Sequence, residues 1–167
     1  MPNKEQQVIL IFEQYFGKQL SFMCAGVDNT LKKESAPSCA LLLSTYTEVL
    51  GGLVTGKLRE RGKTKENFIA FLPYMGKYYE ELQERIDIFG EVRSKFVHEF
   101  SLRPSYAIWI SEKTSSRMGL ESINDHLNFH LREYYRDFKQ GIENYKKDLG
   151  KSDELLACFI HALAITS

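Results

Sequence analysis

Cysteine is scarce in this chain: Cys24, Cys39 and Cys158 are the only three in 167 residues, far apart and odd in number. That excludes a disulfide framework and the paired spacing of a zinc ribbon, and it makes a reducing cytoplasm the expected home. Net charge is absent as well, with 22 Lys and Arg against 22 Asp and Glu. The chain as a whole therefore does not attract nucleic acid or an anionic membrane, and any such contact must come from a local patch. No uninterrupted apolar run approaches the ~18 residues of a membrane span. The first run, Val8 to Phe12, is too short for a targeting signal and follows Lys4 and Glu5. Repeats and low-complexity tracts are also lacking, so solenoid and linker architectures drop out. No cofactor and no membrane partner is expected.

What remains is an ordinary globular composition, 43% hydrophobic and 26% charged, long enough to bury a core without staples. The expectation is one mainly α domain over residues 1–167. Val8, Ile11, Phe12, Tyr15, Phe16, Leu20 and Met23 recur at helical spacing from Lys4 to Cys24, with Gly17 as a soft point. The polar stretch from Gly26 to Pro37 predicts a surface connection, and Ser38 predicts the cap of a second helix running to Leu53. Helical patterns then cover Asn67 to Leu72 and Tyr74 to Leu82, with Pro73 predicting a bend or break between them. Tyr106 to Ile110 is short, aromatic and β-branched, which predicts a strand. Leu120 to Ile123 would pair with it as a small hairpin. A long helix is expected from about Asn124 to Gly150, followed by a short one capped by Ser152.

Gly51-Gly-Leu-Val-Thr-Gly-Lys57 has the glycine-to-lysine spacing of a phosphate-binding loop, but Leu58 stands where that loop needs Ser or Thr, and a helix precedes it instead of a strand. A glycine-softened helix end fits better. Lys57, Arg59, Arg61, Lys63 and Lys65 then form the densest basic run, either a solvated loop or a rim that tracks a nucleic-acid backbone. The nearby aromatics Phe68, Phe71, Tyr74, Tyr78 and Tyr79 could stack bases, although their spacing favours core positions.

The segment Glu91-Val-Arg-Ser-Lys-Phe-Val-His-Glu-Phe100 carries the sharpest signal. As a helix turning about 100° per residue, it puts Arg93 inside the stripe formed by Leu82, Phe89, Phe96 and Phe100. A bare cation there costs several kcal/mol or more, so Arg93 needs an acid, a ligand phosphate or a second surface. Glu48, on the second helix, is the nominated acid. His98 projects about 140° away from Arg93, so the two would converge only at a cleft edge or across a two-fold interface. Two readings stay open on these residues alone: a structural Arg93–Glu48 ion pair with an incidental histidine, or a phosphate site with a proton carrier.

Arg93-Ser-Lys-Phe-Val-His98 resembles the Arg-x4-6-His signature of the HEPN (higher eukaryote and prokaryote nucleotide-binding) superfamily. The setting is similar too, with a preceding helix at 38–57 and an aromatic segment at 68–79. The resemblance implies a four- to five-helix bundle, here with a small late β-hairpin, and a homodimer with both signatures at the interface. It implies a metal-independent endoribonuclease or RNA-binding protein, in the manner of toxins and defence proteins, with a partner such as an antitoxin. The alternative is a non-catalytic module that binds a protein or a nucleotide. His98 would be the general base or acid and Arg93 the phosphate ligand. Glu48, Ser94 and Glu99 would support them, and Lys57, Arg59, Arg61 and Lys63 would hold the RNA backbone. Ser94 departs from the asparagine, aspartate or histidine that usually follows the arginine. No metal belongs to this site. A separate set on the long helix, His126, His130, Glu133 and Asp137, has the spacing for a divalent-metal stripe or for a solvated flank.

Overall fold

The computed structural model describes residues 4–94, 106–124 and 126–164. The first arm is helical throughout: α1 (Lys4–Phe12), a π turn (Glu13–Gly17) and α2 (Lys18–Lys32). The sequence explains the π turn. Val8, Phe12, Phe16, Met23, Val27 and Leu31 are all buried, yet an ideal α-helix would rotate Leu31 about 140° away from Val8. One inserted residue removes most of that drift and keeps the stripe on the core. The same stripe corrects the predicted connection at 26–37. Burial of Val27 and Leu31 carries the helix through the polar stretch, and the true link is only Lys33 to Ser35, with Glu34 at φ 52.

The central helix α3 (Ala36–Thr55) starts two residues before the expected cap, because Ser35 is its N-cap and Pro37 lies in its first turn. It is long and apolar enough to cross a membrane by composition, and half of that stretch is buried inside the protein. Packing against α4 (Thr64–Met75) needs Gly51, where a Cβ would stand 1.6 Å from the Asn67 carbonyl oxygen. Gly56, at φ 75, ends α3 in the left-handed region. These glycines therefore serve helix packing and helix termination. Pro73 does not break α4. The turn runs on to Met75 and the chain bends at Gly76, φ 139. α5 (Lys77–Arg85) follows.

The helix expected to run continuously from Leu82 into the signature is interrupted. Ile86 is extended, and Asp87 restarts the helix by accepting the Gly90 N–H on its Oδ1 at 3.2 Å. A second π turn, Phe89–Ser94, follows. The hairpin is also corrected. β1 (Tyr106–Trp109), β2 (Leu120–Ile123) and β3 (His126–His130) form a sheet of order β1-β3-β2, with β1 parallel and β2 antiparallel to β3. The tight turn lies between β2 and β3, at Asn124 with φ 50. β1 and β2 do not pair.

The long helix α6 (Leu131–Leu149) accordingly begins after β3, later than expected, and α7 (Asp153–Ala162) is capped by Ser152, whose Oγ accepts the Leu155 N–H at 3.1 Å. Seven α-helices and a small sheet thus make up the described residues, more helices than the four or five expected. They share one core, crowded with Phe12, Phe68, Phe71, Phe138, Tyr145 and Phe159.

Candidate functional site

Asp87 fixes where the signature turn begins. Its carboxylate caps the turn through Gly90 and binds Lys65 Nζ at 2.9 Å. Burial alone would raise its pKa, but the Lys65 ammonium and the Gly90 N–H outweigh that and hold it below the ordinary aspartate value. Ile88 and Val92 are buried, and the Phe89 ring meets Phe68 edge-on at 5.6 Å, so the turn is anchored on α3 and α4. That anchoring brings Arg93 to Glu48, Nε to Oε2 at 3.3 Å, with side chains 19% and 23% exposed. The nominated acid is therefore the observed partner. The contact is long for a charged hydrogen bond, and the guanidinium keeps a path to solvent. Ser94 closes the π turn; His98 and Glu99 lie outside the described residues.

The basic run is a loop between α3 and α4, and its charges are largely engaged by the protein itself. Glu66 binds both Lys57 and Lys63, and hydrogen bonds from these two ammoniums hold its carboxyl below the usual glutamate value. Arg59 reaches the Leu163 carbonyl at 3.5 Å, at the end of α7. Arg61, beside Gly62 at φ 77, is exposed. Among the nominated aromatics, Phe68, Phe71 and Tyr79 are buried, which removes them as stacking platforms, while Tyr74 and Tyr78 are half-buried. Elsewhere Tyr15, Phe22 and Trp109 are exposed, and Trp109 on β1 donates from Nε1 to Asn128 Oδ1 at 3.0 Å.

The metal stripe does not form. His126 and His130 lie on β3, not on the long helix; His126 is exposed and His130 hydrogen-bonds Glu121 at 3.1 Å. Glu133 and Asp137 are committed elsewhere, and among the described residues no three His, Cys, Asp or Glu are grouped to hold a metal ion. His161 on α7 is exposed.

What the sequence did not reveal is a clamp built from the first half of α6. Glu133, fully buried, accepts from the Ser111 hydroxyl, from the Ser115 hydroxyl at 2.9 Å and from the Ser115 N–H at 3.1 Å. Arg132 donates to the Ser111 carbonyl, and Arg136 to the Ser115 and Arg117 carbonyls. Asp137 accepts from the Tyr79 hydroxyl at 2.6 Å and from the Gly119 N–H at 3.1 Å. Burial and the neighbouring Asp137 carboxylate push the Tyr79 phenol well above its usual pKa, which keeps it a donor. The only sequence hint is the Glu133 and Asp137 spacing, which fits a divalent-metal stripe or a solvated flank. No known protein family, curated protein or solved structure matches this chain.

Proposed function

We propose that this chain is a HEPN-like RNA-binding protein and metal-independent endoribonuclease, active as a homodimer, in which Arg93 binds the scissile phosphate and His98 carries the proton. The observation that supports this is the Arg93 side chain. Among the described residues its partner is Glu48, through one long contact, and the side chain stays 19% exposed at the rim of the core. A cation placed for structure alone would be expected to gain the multiple short bonds that Arg136 has.

In the proposed reaction the ribose 2′-oxygen attacks phosphorus as a base takes its proton, and the P–O5′ bond breaks as an acid returns a proton to the 5′-oxygen. His98 serves one of these transfers, and Arg93 stabilises the charge that gathers on the non-bridging oxygens. Products would be a cyclic 2′,3′-phosphate and a 5′-hydroxyl. A role as a toxin or defence component with an antitoxin-like partner belongs to the same proposal.

One observation favours the non-catalytic alternative. Lys57 and Lys63 are paired to Glu66, which leaves the expected RNA rim with little free charge. Mixed RNA incubated with the purified protein in chelator decides between them. The nuclease predicts cleavage that Arg93→Ala and His98→Ala each abolish. Equal cleavage by all three proteins overturns it. No cleavage, with RNA binding that depends on Arg93, selects the non-catalytic module.

A further inference from the structure

The C-terminal end of α6 and the start of α7 enclose a cleft with no assigned role. Its larger chamber, about 430 Å³, lies within the size range of small-molecule sites. Val54 from α3, Tyr74 from α4, and Leu155 and Cys158 from α7 form its apolar walls, with Asp148, Lys151 and Glu154 among its polar residues. A second chamber of about 290 Å³ shares Tyr74, Asp148 and Lys151 with the first and adds Lys147 and Asn144. There two ammonium groups face one carboxylate. Neither lysine is tightly paired, since Lys151 stands 3.8 Å from Asp148 and Lys147 has no ion pair among the described residues.

A second observation points to a ligand. Tyr145 is fully buried, and its hydroxyl is the one buried side-chain polar atom of the described residues without a hydrogen-bond partner. Its ring meets Tyr74 edge-on at 5.4 Å, and Tyr74 and Cys158 are its electrostatic neighbours. Both of those residues line the larger chamber. A buried phenol rarely goes unpaired, and this one lies behind the wall that Tyr74 and Cys158 form, without lining the cleft itself. We propose that this cleft binds a small amphipathic organic anion, its aromatic body between Tyr74, Leu155 and Cys158 and its carboxylate, sulfonate or phosphate between Lys147 and Lys151. The site is independent of the proposed RNA chemistry and stands or falls without it.

The test uses the full chain with 8-anilinonaphthalene-1-sulfonate, an aromatic monoanion, and its uncharged parent N-phenyl-1-naphthylamine as fluorescent probes. Saturable one-site binding of the anion is expected. Lys147→Ala with Lys151→Ala should weaken it about fivefold or more while leaving the neutral probe unchanged. Leu155→Trp, which fills the larger chamber, should abolish binding of both with cooperative thermal melting retained. A readout free of folding effects is iodoacetamide labelling of the wild-type chain mapped by peptide mass. Saturating anion should slow modification at Cys158 and leave Cys24 unchanged. Absence of saturable binding, or binding that neither the lysine pair nor Cys158 protection registers, overturns the proposal.

Discussion

The first half of α6 and the signature turn both bring charge to the edge of the core, and they treat it in opposite ways. On α6, Glu133 and Asp137 are buried, and each accepts bonds from hydroxyl and backbone donors, while Arg132 and Arg136 occupy three backbone carbonyls of the 111–117 segment. At the signature, the described partner of Arg93 is one carboxylate at 3.3 Å. Charges satisfied from several directions in a low-dielectric setting fix a structure. A cation held by one long contact and reached by solvent is available to another anion. The clamp therefore reads as architecture, and the Arg93 pair, among the described residues, as the looser and more solvent-reached of the two.

Breaking the clamp should have the largest effect. Glu133→Ala leaves the half-buried Ser111 and Ser115 donors unmatched, for a loss of about 2–3 kcal/mol in urea unfolding. Glu133→Gln keeps the shape and part of the hydrogen bonding, and should lose about half as much. If Glu133→Ala loses less than about 1 kcal/mol, the carboxylate is not structural and the contrast with Arg93 collapses.

Arg93→Ala should behave in the reverse way. Its half-buried, long ion pair predicts a stability change of about 1 kcal/mol, smaller than that of Glu133→Ala, whereas loss of a charge-assisted phosphate contact predicts RNA affinity reduced roughly tenfold or more. Unfolding curves and filter binding on the same preparation separate the two quantities. A large destabilisation with unchanged RNA binding would move Arg93 into the class of Glu133.

Much of the helical pattern was legible because apolar spacing is a local property, and the Glu48 partner of Arg93 was legible because a cation in an apolar stripe demands an acid. The failures have physical causes. Leu127 and Leu131 sit four apart and mimic a helix, yet His126 to His130 alternate and fill the centre of a sheet whose other strands lie on either side of it. That pairing is non-local, so no window of sequence contains it. Glu133 and Asp137 looked like ligands because spacing on a helix says nothing of what crosses it. Their partners come from positions 18 to 22 residues upstream and from α5. The interruption at Ile86 was hidden by continuous helical periodicity, although Asp87 followed by Gly90 is a local capping signal.

Acid should sharpen the same contrast with a smaller effect. Burial pushes the Glu133 carboxyl up, but the Ser115 hydroxyl and the N–H groups of Glu133 and Ser115 outweigh it, with help from Ser111, and its pKa is lowered in the folded state. A carboxyl lowered on folding stabilises the protein above its unfolded pKa, and that contribution disappears as pH falls through the folded value. Stability should therefore be level from neutrality down to the ordinary glutamate range and decline below it. Glu133→Gln should flatten that decline, and Arg93→Ala should leave it unchanged. Urea midpoints measured between neutral and acid pH give the comparison, and an unaltered slope in Glu133→Gln would assign the acid sensitivity to other carboxyls, Asp87 first among them.

Tyr145 extends the comparison to a buried group whose hydroxyl has no hydrogen-bond partner among the described residues. If a hydroxyl there served only packing, replacing it with hydrogen would remove an unmet desolvation penalty of about 1 kcal/mol or more and leave the ring contacts with Phe12 and Tyr74 in place. Tyr145→Phe is thus expected to be neutral or to stabilise the ligand-free chain by up to about 1 kcal/mol, an unusual sign for a substitution in a packed interior. Thermal melting with and without the anionic probe reads both halves of the argument. A gain in ligand-free stability marks the hydroxyl as one kept at a cost to the fold, the condition expected of a group that serves binding. A loss of more than about 1 kcal/mol would mean that the hydroxyl is already satisfied within the core, and Tyr145 would join Glu133 and Asp137 as part of the architecture.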